Sequence, residues 1–78
     1  MMMWQKLSDL HAMARAIGVS YSLHYAESDD SWYAEVSSAA PSEEWIGRNR
    51  ASFTIAIDDC IAHLNSIDLA RRFLARPF

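Results

Sequence analysis

Cys60 and His63 stand three residues apart, and His11 and His24 complete a set of four side chains of the types zinc accepts. The set lacks the paired short-range spacing that a closed zinc site shows on both sides. Cys60 also falls on an apolar stripe with Ile57, Ile61 and Leu64, which marks it as a buried structural thiol. A catalytic thiolate needs an electropositive, accessible setting, and the neighbours here are Asp58 and Asp59. The carboxylates Glu43/Glu44 and Asp58/Asp59 are adjacent in sequence. Adjacent side chains on a strand or helix point apart, so neither pair is a ready acid–base couple. No serine sits in a nucleophile elbow, and the two glycines, Gly18 and Gly47, are too few for a phosphate-cradling loop. The expectation is a protein without catalytic residues, metal or cofactor.

The informative feature is charge. No lysine or arginine occurs between Ala16 and Gly47, while that stretch carries Glu27, Asp29, Asp30, Glu35, Glu43 and Glu44. The rest of the chain holds seven cations against four acids, a balance of +3 beside the −6 of the stretch, for a net charge of −3. A long acidic stretch reads first as a solvated face. It reads functionally as a negative surface matched to a basic surface on a partner. Tyr33 and Trp45 lie within it and are candidate exposed anchors, since aromatics beside carboxylates make strong contacts. The alternative for both is a satellite packing cluster beneath residues 38–51.

The elements that must position these groups follow from periodicity. Met3, Leu7, Leu10, Ala14 and Ile17 recur at spacings of four and three, one face of a helix from Met3 to Ile17, and Gly18 reads as its cap. The period then drops to two: Val19, Tyr21, Leu23 and Tyr25 alternate with Ser20, Ser22 and His24. A polar turn over residues 27–31 leads to a second strand, about Ser31 to Ser37, with Trp32, Ala34 and Val36 on one face. Pro41 lies in a connection, Trp45 and Ile46 suit a short third strand at an edge, and Gly47 ends it. Helical period returns at Phe53, Ile57, Cys60, Ile61 and Leu64. Asn65 and Ser66 read as a stop and a fresh N-cap, so a break is expected there, with Pro77 ending the last helix. The expected fold is α+β: an antiparallel hairpin or three-stranded sheet packed by an N-terminal and a C-terminal helix, in the order α-β-β-(β)-α-α.

Seventy-eight residues allow one domain, 1–78, because a chain this short hides only about 60–65% of its unfolded surface. One cysteine excludes an internal disulfide and favours a reducing compartment, so the cytoplasm is expected. No apolar run approaches the roughly 20 residues of a membrane span. Met1, Met2, Met3 and Trp4 are too short a stretch for a signal peptide, with Lys6 on its wrong side.

Two resemblances follow. Tyr21-Ser22-Leu23, Trp32-Tyr33-Ala34, Gly47 and an alanine-containing last helix resemble, in topology, the double-stranded-RNA-binding domain. That family grips phosphates with lysines at the start of its last helix, where this chain reads Arg48, Asn49, Arg50, Ala51, Ser52, Phe53, Thr54. Direct nucleic-acid binding is therefore not expected. Trp4, Trp32-Tyr33-Ala34 and Thr54-Ile55-Ala56-Ile57 resemble small phage-encoded α–β–α sandwich domains, with anti-CRISPR inhibitors among them. That likeness covers roughly Met3 to Leu64 and implies a phage or prophage origin and a role in disabling a host complex.

The functional expectation is a non-enzymatic, monomeric binding module. Its site would be Glu27, Asp29, Asp30, Tyr33, Glu35, Glu43, Glu44 and Trp45, set on a partner's basic, nucleic-acid-binding face. The alternative is a dimeric, antitoxin-like regulator using the tail residues Arg71, Arg72, Phe73, Leu74, Arg76 and Phe78.

Overall fold

In the computed structural model, residues 3–39 and 42–74 are described. Pro41, Arg76, Pro77 and Phe78 lie outside the described residues. The chain runs α1 (Met3–Ile17), β1 (Ser20–Ala26), β2 (Ser31–Ala39), β3 (Ser42–Ile46), α2 (Phe53–Leu74).

The α1 stripe puts Leu10 and Ala14 into the core, with Leu7 and Ile17 at its margin. Gly18 ends the helix at φ 68°, in the left-handed region, and the Val19 N–H donates back to the Ala14 carbonyl at 3.1 Å. The chain enters β1, which pairs antiparallel with β2 in a register that sets Leu23 opposite Ala34. The turn over residues 27–30 is closed by Asp29 N–H to Ala26 O at 3.2 Å, and Asp30 takes the left-handed φ of 49° that Asp tolerates. On its other side β2 pairs with β3, Val36 opposite Trp45, so β2 is central and β1 and β3 are edges. The short third strand is thus present, and the Gly47 N–H closes its end on the Ala34 carbonyl at 2.8 Å. Pairing with β3 also carries β2 on to Ala39, beyond its expected end.

Both helices lie on the sheet face that carries Ala34 and Val36, where they join one core with Leu10, Ile57, Cys60, Leu64 and Ile67. The layers are two, helices over sheet. Lys6 near the start of α1 meets Asp58 at 2.9 Å, and Arg71 late in α2 donates to the Ile17 carbonyl. The helices therefore run side by side in the same direction.

Ser52 caps α2, its Oγ accepting from the Thr54 N–H at 3.1 Å. The expected break near Asn65 is absent: α2 is one helix of 22 residues. Leu64 and Ile67 both stay in the core across that point, while Asn65 and Ser66 face outward. Packing on one unbroken face outweighs the weak helix propensity of two exposed polar residues. Trp32, on the same face as Ala34 and Val36, is half-buried at the end of the core and packs against Phe53 and Tyr25, with ring centroids 4.8 and 5.0 Å away.

Candidate functional site

The period of two that buries Ala34 and Val36 turns Tyr33, Glu35 and Ser37 to the opposite face. Register adds Ser20, Ser22 and His24 from β1 and Glu44 and Ile46 from β3. Among the described residues no helix covers this outer face. Across its centre runs a shallow trough of about 200 Å³, lined by Ser20, Ser22, Glu35, Ser37, Glu44 and Ile46. Ile46 is 67% exposed there.

His24 organises one end of the face. Its ring stacks on Tyr33 at 4.9 Å, and its Nε2 lies 2.9 Å from Ser22 Oγ and 3.2 Å from Glu35 Oε2. Serine, histidine and glutamate in contact invite a nucleophile reading. A relay of that kind uses one ring nitrogen for the hydroxyl and the other for the acid. Here both partners share Nε2, so the cluster fixes the Glu35 carboxylate in place and does not activate Ser22.

The six acids do not form one patch. Glu27, Asp29 and Asp30 sit on the β1–β2 turn. Asp29 accepts from Asn49 Nδ2 at 2.9 Å and Asp30 from the Tyr25 hydroxyl at 2.7 Å. That hydrogen bond to Asp30 is the main reason the exposed Tyr25 phenol holds its proton above the usual range. Glu35 and Glu44 belong to the outer face. Glu43 points the other way, toward α2, with Oε1 2.7 Å from His63 Nε2.

Trp45 also turns inward, which corrects the expectation of an exposed anchor. It packs against the core and stacks on His63 at 4.3 Å with the rings 7° from parallel. Tyr33 is half-buried against His24. Ile46 is an exposed apolar side chain on the outer face, where its sequence context marked it only as a strand former. The alternation Glu43-in, Glu44-out, Trp45-in, Ile46-out was the signal that could have found it.

The ion pairs sort the charge further. Asp58 pairs with Lys6 at 2.9 Å, Asp59 with Arg50 at 2.6 Å and Asp68 with Arg72 at 3.0 Å. Each of the three α2 carboxylates thus has a cation. Among the described residues, none of the six acids of the sheet and turn pairs with lysine or arginine; Glu35 and Glu43 meet histidines.

The four candidate metal ligands are scattered. His11 lies 3.4 Å from the Tyr21 hydroxyl on the helix side, His24 is on the outer face, and His63 is held by Glu43. Cys60 is buried in the core, and burial, with Asp59 nearby, pushes its thiol up to about 11. Among the described residues no helix is long and apolar enough to cross a membrane. Comparison with protein-family models, curated proteins and solved structures finds no match to this chain.

Proposed function

We propose that this chain is a non-enzymatic, monomeric protein-binding module of the cytoplasm. In this reading its negative sheet layer occupies a basic, nucleic-acid-binding face of a partner. The biological setting would be that of a phage- or prophage-encoded inhibitor of a host defence complex, of the anti-CRISPR type. One observation carries the reading: the α2 acids are neutralised within the molecule, while Glu27, Asp29, Asp30, Glu35 and Glu44 keep their charge without a lysine or arginine partner among the described residues. Uncompensated charge on one layer costs some stability through self-repulsion, and it steers a cationic surface toward that layer.

Tagged protein is expected to recover a nucleic-acid-handling complex from host cells, and added nucleic acid is expected to compete it away. Reversing Asp29, Asp30, Glu35 and Glu44 to lysine should abolish recovery. Recovery that ignores salt, nucleic acid and the reversal would overturn the acidic-surface reading.

A second reading has its own observation. Leu69, Phe73 and Leu74 are 70, 71 and 74% exposed near the end of α2, beside Arg72. Such a patch suits self-association of a dimeric regulator. Light scattering at micromolar concentration decides: a monomer removes this reading.

A further inference from the structure

The trough on the outer sheet face has the dimensions and chemistry of a seat for one long cationic side chain. Glu35 on β2 stands directly opposite Ile46 on β3, and Ser37 directly opposite Glu44. Glu35 and Glu44 are therefore diagonal neighbours on one face, roughly 7–8 Å apart at the backbone. A planar cation entering between them can bond one carboxylate on each side. The Ile46 side chain, 67% exposed, offers an apolar wall for an aliphatic stem. Ser20, Ser22 and Ser37 add hydroxyl groups to a lining that Tyr21, Val36 and Trp45 complete. The Glu35 carboxylate is pre-set by His24 Nε2 at 3.2 Å, so little ordering remains to be done on binding. The other acidic group, on the turn over residues 27–30, differs. Asp29 and Asp30 there already accept from Asn49 and Tyr25, and neither lines the trough.

We infer that the outer sheet face docks a protein partner by seating one arginine side chain in the trough, its guanidinium between Glu35 and Glu44 and its stem on Ile46. Arginine fits better than lysine because its planar fork carries donors on both edges and can serve two carboxylates at once. The inference rests on the reading of an acidic binding module and names the part of that surface that discriminates.

The test uses the full chain labelled with nitrogen-15. N-acetyl-arginine amide is titrated to millimolar concentration while amide shifts are followed, with potassium chloride at matched ionic strength as the blank. Saturable shifts are expected at Ser22, Glu35, Glu44 and Ile46, and weaker ones with N-acetyl-lysine amide. Glu35→Gln with Glu44→Gln should weaken binding at least about ten-fold, equivalent to 1.4 kcal/mol, and Asp29→Asn with Asp30→Asn should leave it unchanged. These are neutral, near-isosteric changes at solvent-facing positions, and the dispersion of each spectrum reports folding directly. Ile46→Ser, which leaves both carboxylates in place, should also weaken binding. Shifts centred on residues 27–30, shifts reproduced by potassium chloride, or equal response to arginine and lysine would overturn the proposal. A nona-arginine peptide separates the two levels. Salt-sensitive binding of that peptide through the turn alone would refute the trough and keep the acidic module. No binding at low salt would refute both.

Discussion

Replacing Gly47 by alanine sets two effects of opposite sign against each other. Glycine-to-alanine changes at ordinary backbone angles stabilise by about 0.4–1 kcal/mol, because the unfolded chain loses freedom. Gly47 does not sit at a positive φ, so that gain is open to it. A methyl group there, however, would lie 2.8 Å from Trp45 Cη2 and 3.4 Å from the Ala34 carbonyl oxygen. The ring has no free room to retreat, being stacked 4.3 Å from His63, which Glu43 holds at 2.7 Å. Overfilling of this kind costs about 1–3 kcal/mol. The clash should win, leaving a net loss of up to about 2.5 kcal/mol and, at 4–8 °C per kcal/mol for a domain of this size, a melting point lower by several to about 20 °C. Thermal unfolding followed by circular dichroism reads this directly. Trp45→Ala supplies the decisive comparison, since without the indole the same glycine change should become neutral or stabilising. If Gly47→Ala melts at or above the wild type, or if its effect is the same with and without Trp45, the tight seating of Trp45 between Gly47 and His63 is wrong.

Three further outcomes follow from the core. Leu10→Ala and Ile57→Ala each truncate a side chain with no exposed surface and should cost about 2–5 kcal/mol, against roughly 4–12 kcal/mol for the whole domain; near-wild-type denaturant midpoints for both would misplace the helix stripes. Cys60 has its thiol raised to about 11, so the folded state keeps a proton that the unfolded chain releases near 9. Its contribution is complete below pH 9 and is lost as pH climbs toward 11, a fall of order 2–3 kcal/mol that Cys60→Ala should flatten; a wild-type stability indifferent to pH over that span would contradict the burial of the thiol. Asn65→Pro should cost about 3 kcal/mol or more by interrupting one continuous helix, and urea unfolding indistinguishable from wild type would instead restore the break.

Most of the architecture could be read along the chain, because α1, β1 and β2 each carry a full stretch of one period. The ambiguous parts were those where local signals are short or weak. Ser42–Ile46 spans only five residues, so its alternation is a short signal, and pairing with β2 secures it as a strand. Asn65 and Ser66 carry a cap-like signature that the buried Leu64 and Ile67 override. The site was legible as composition and not as geometry. Six acids close in sequence spread in three directions, because a turn separates Asp29 and Asp30 from Glu35 and the pleat sends Glu43 and Glu44 to opposite faces. The contacts that place Trp45 and His24 include ones across strands, to Tyr33 and Glu35, and one with His63 on a helix eighteen residues away. Nothing in the local sequence specifies them.

The side-by-side alignment of α1 and α2 bears on how the chain reaches its structure. The Lys6–Asp58 and Arg71–Ile17 contacts join residues 52 and 54 positions apart. Leu10 and Ala14 share their core with Ile57, Cys60, Leu64 and Ile67 of α2 as well as with Ala34 and Val36 of β2. During synthesis α1 precedes α2, the helix it packs beside, and until α2 follows the core it shares with the sheet is incomplete. The β1–β2 hairpin can close early on a microsecond scale, but an isolated hairpin is marginal in water. Folding of this small domain should therefore be all-or-none and complete only after α2 has left the ribosome, with the loop between the two helices closed in a single late step. A nascent chain stalled within α2 should remain sensitive to protease along its whole length.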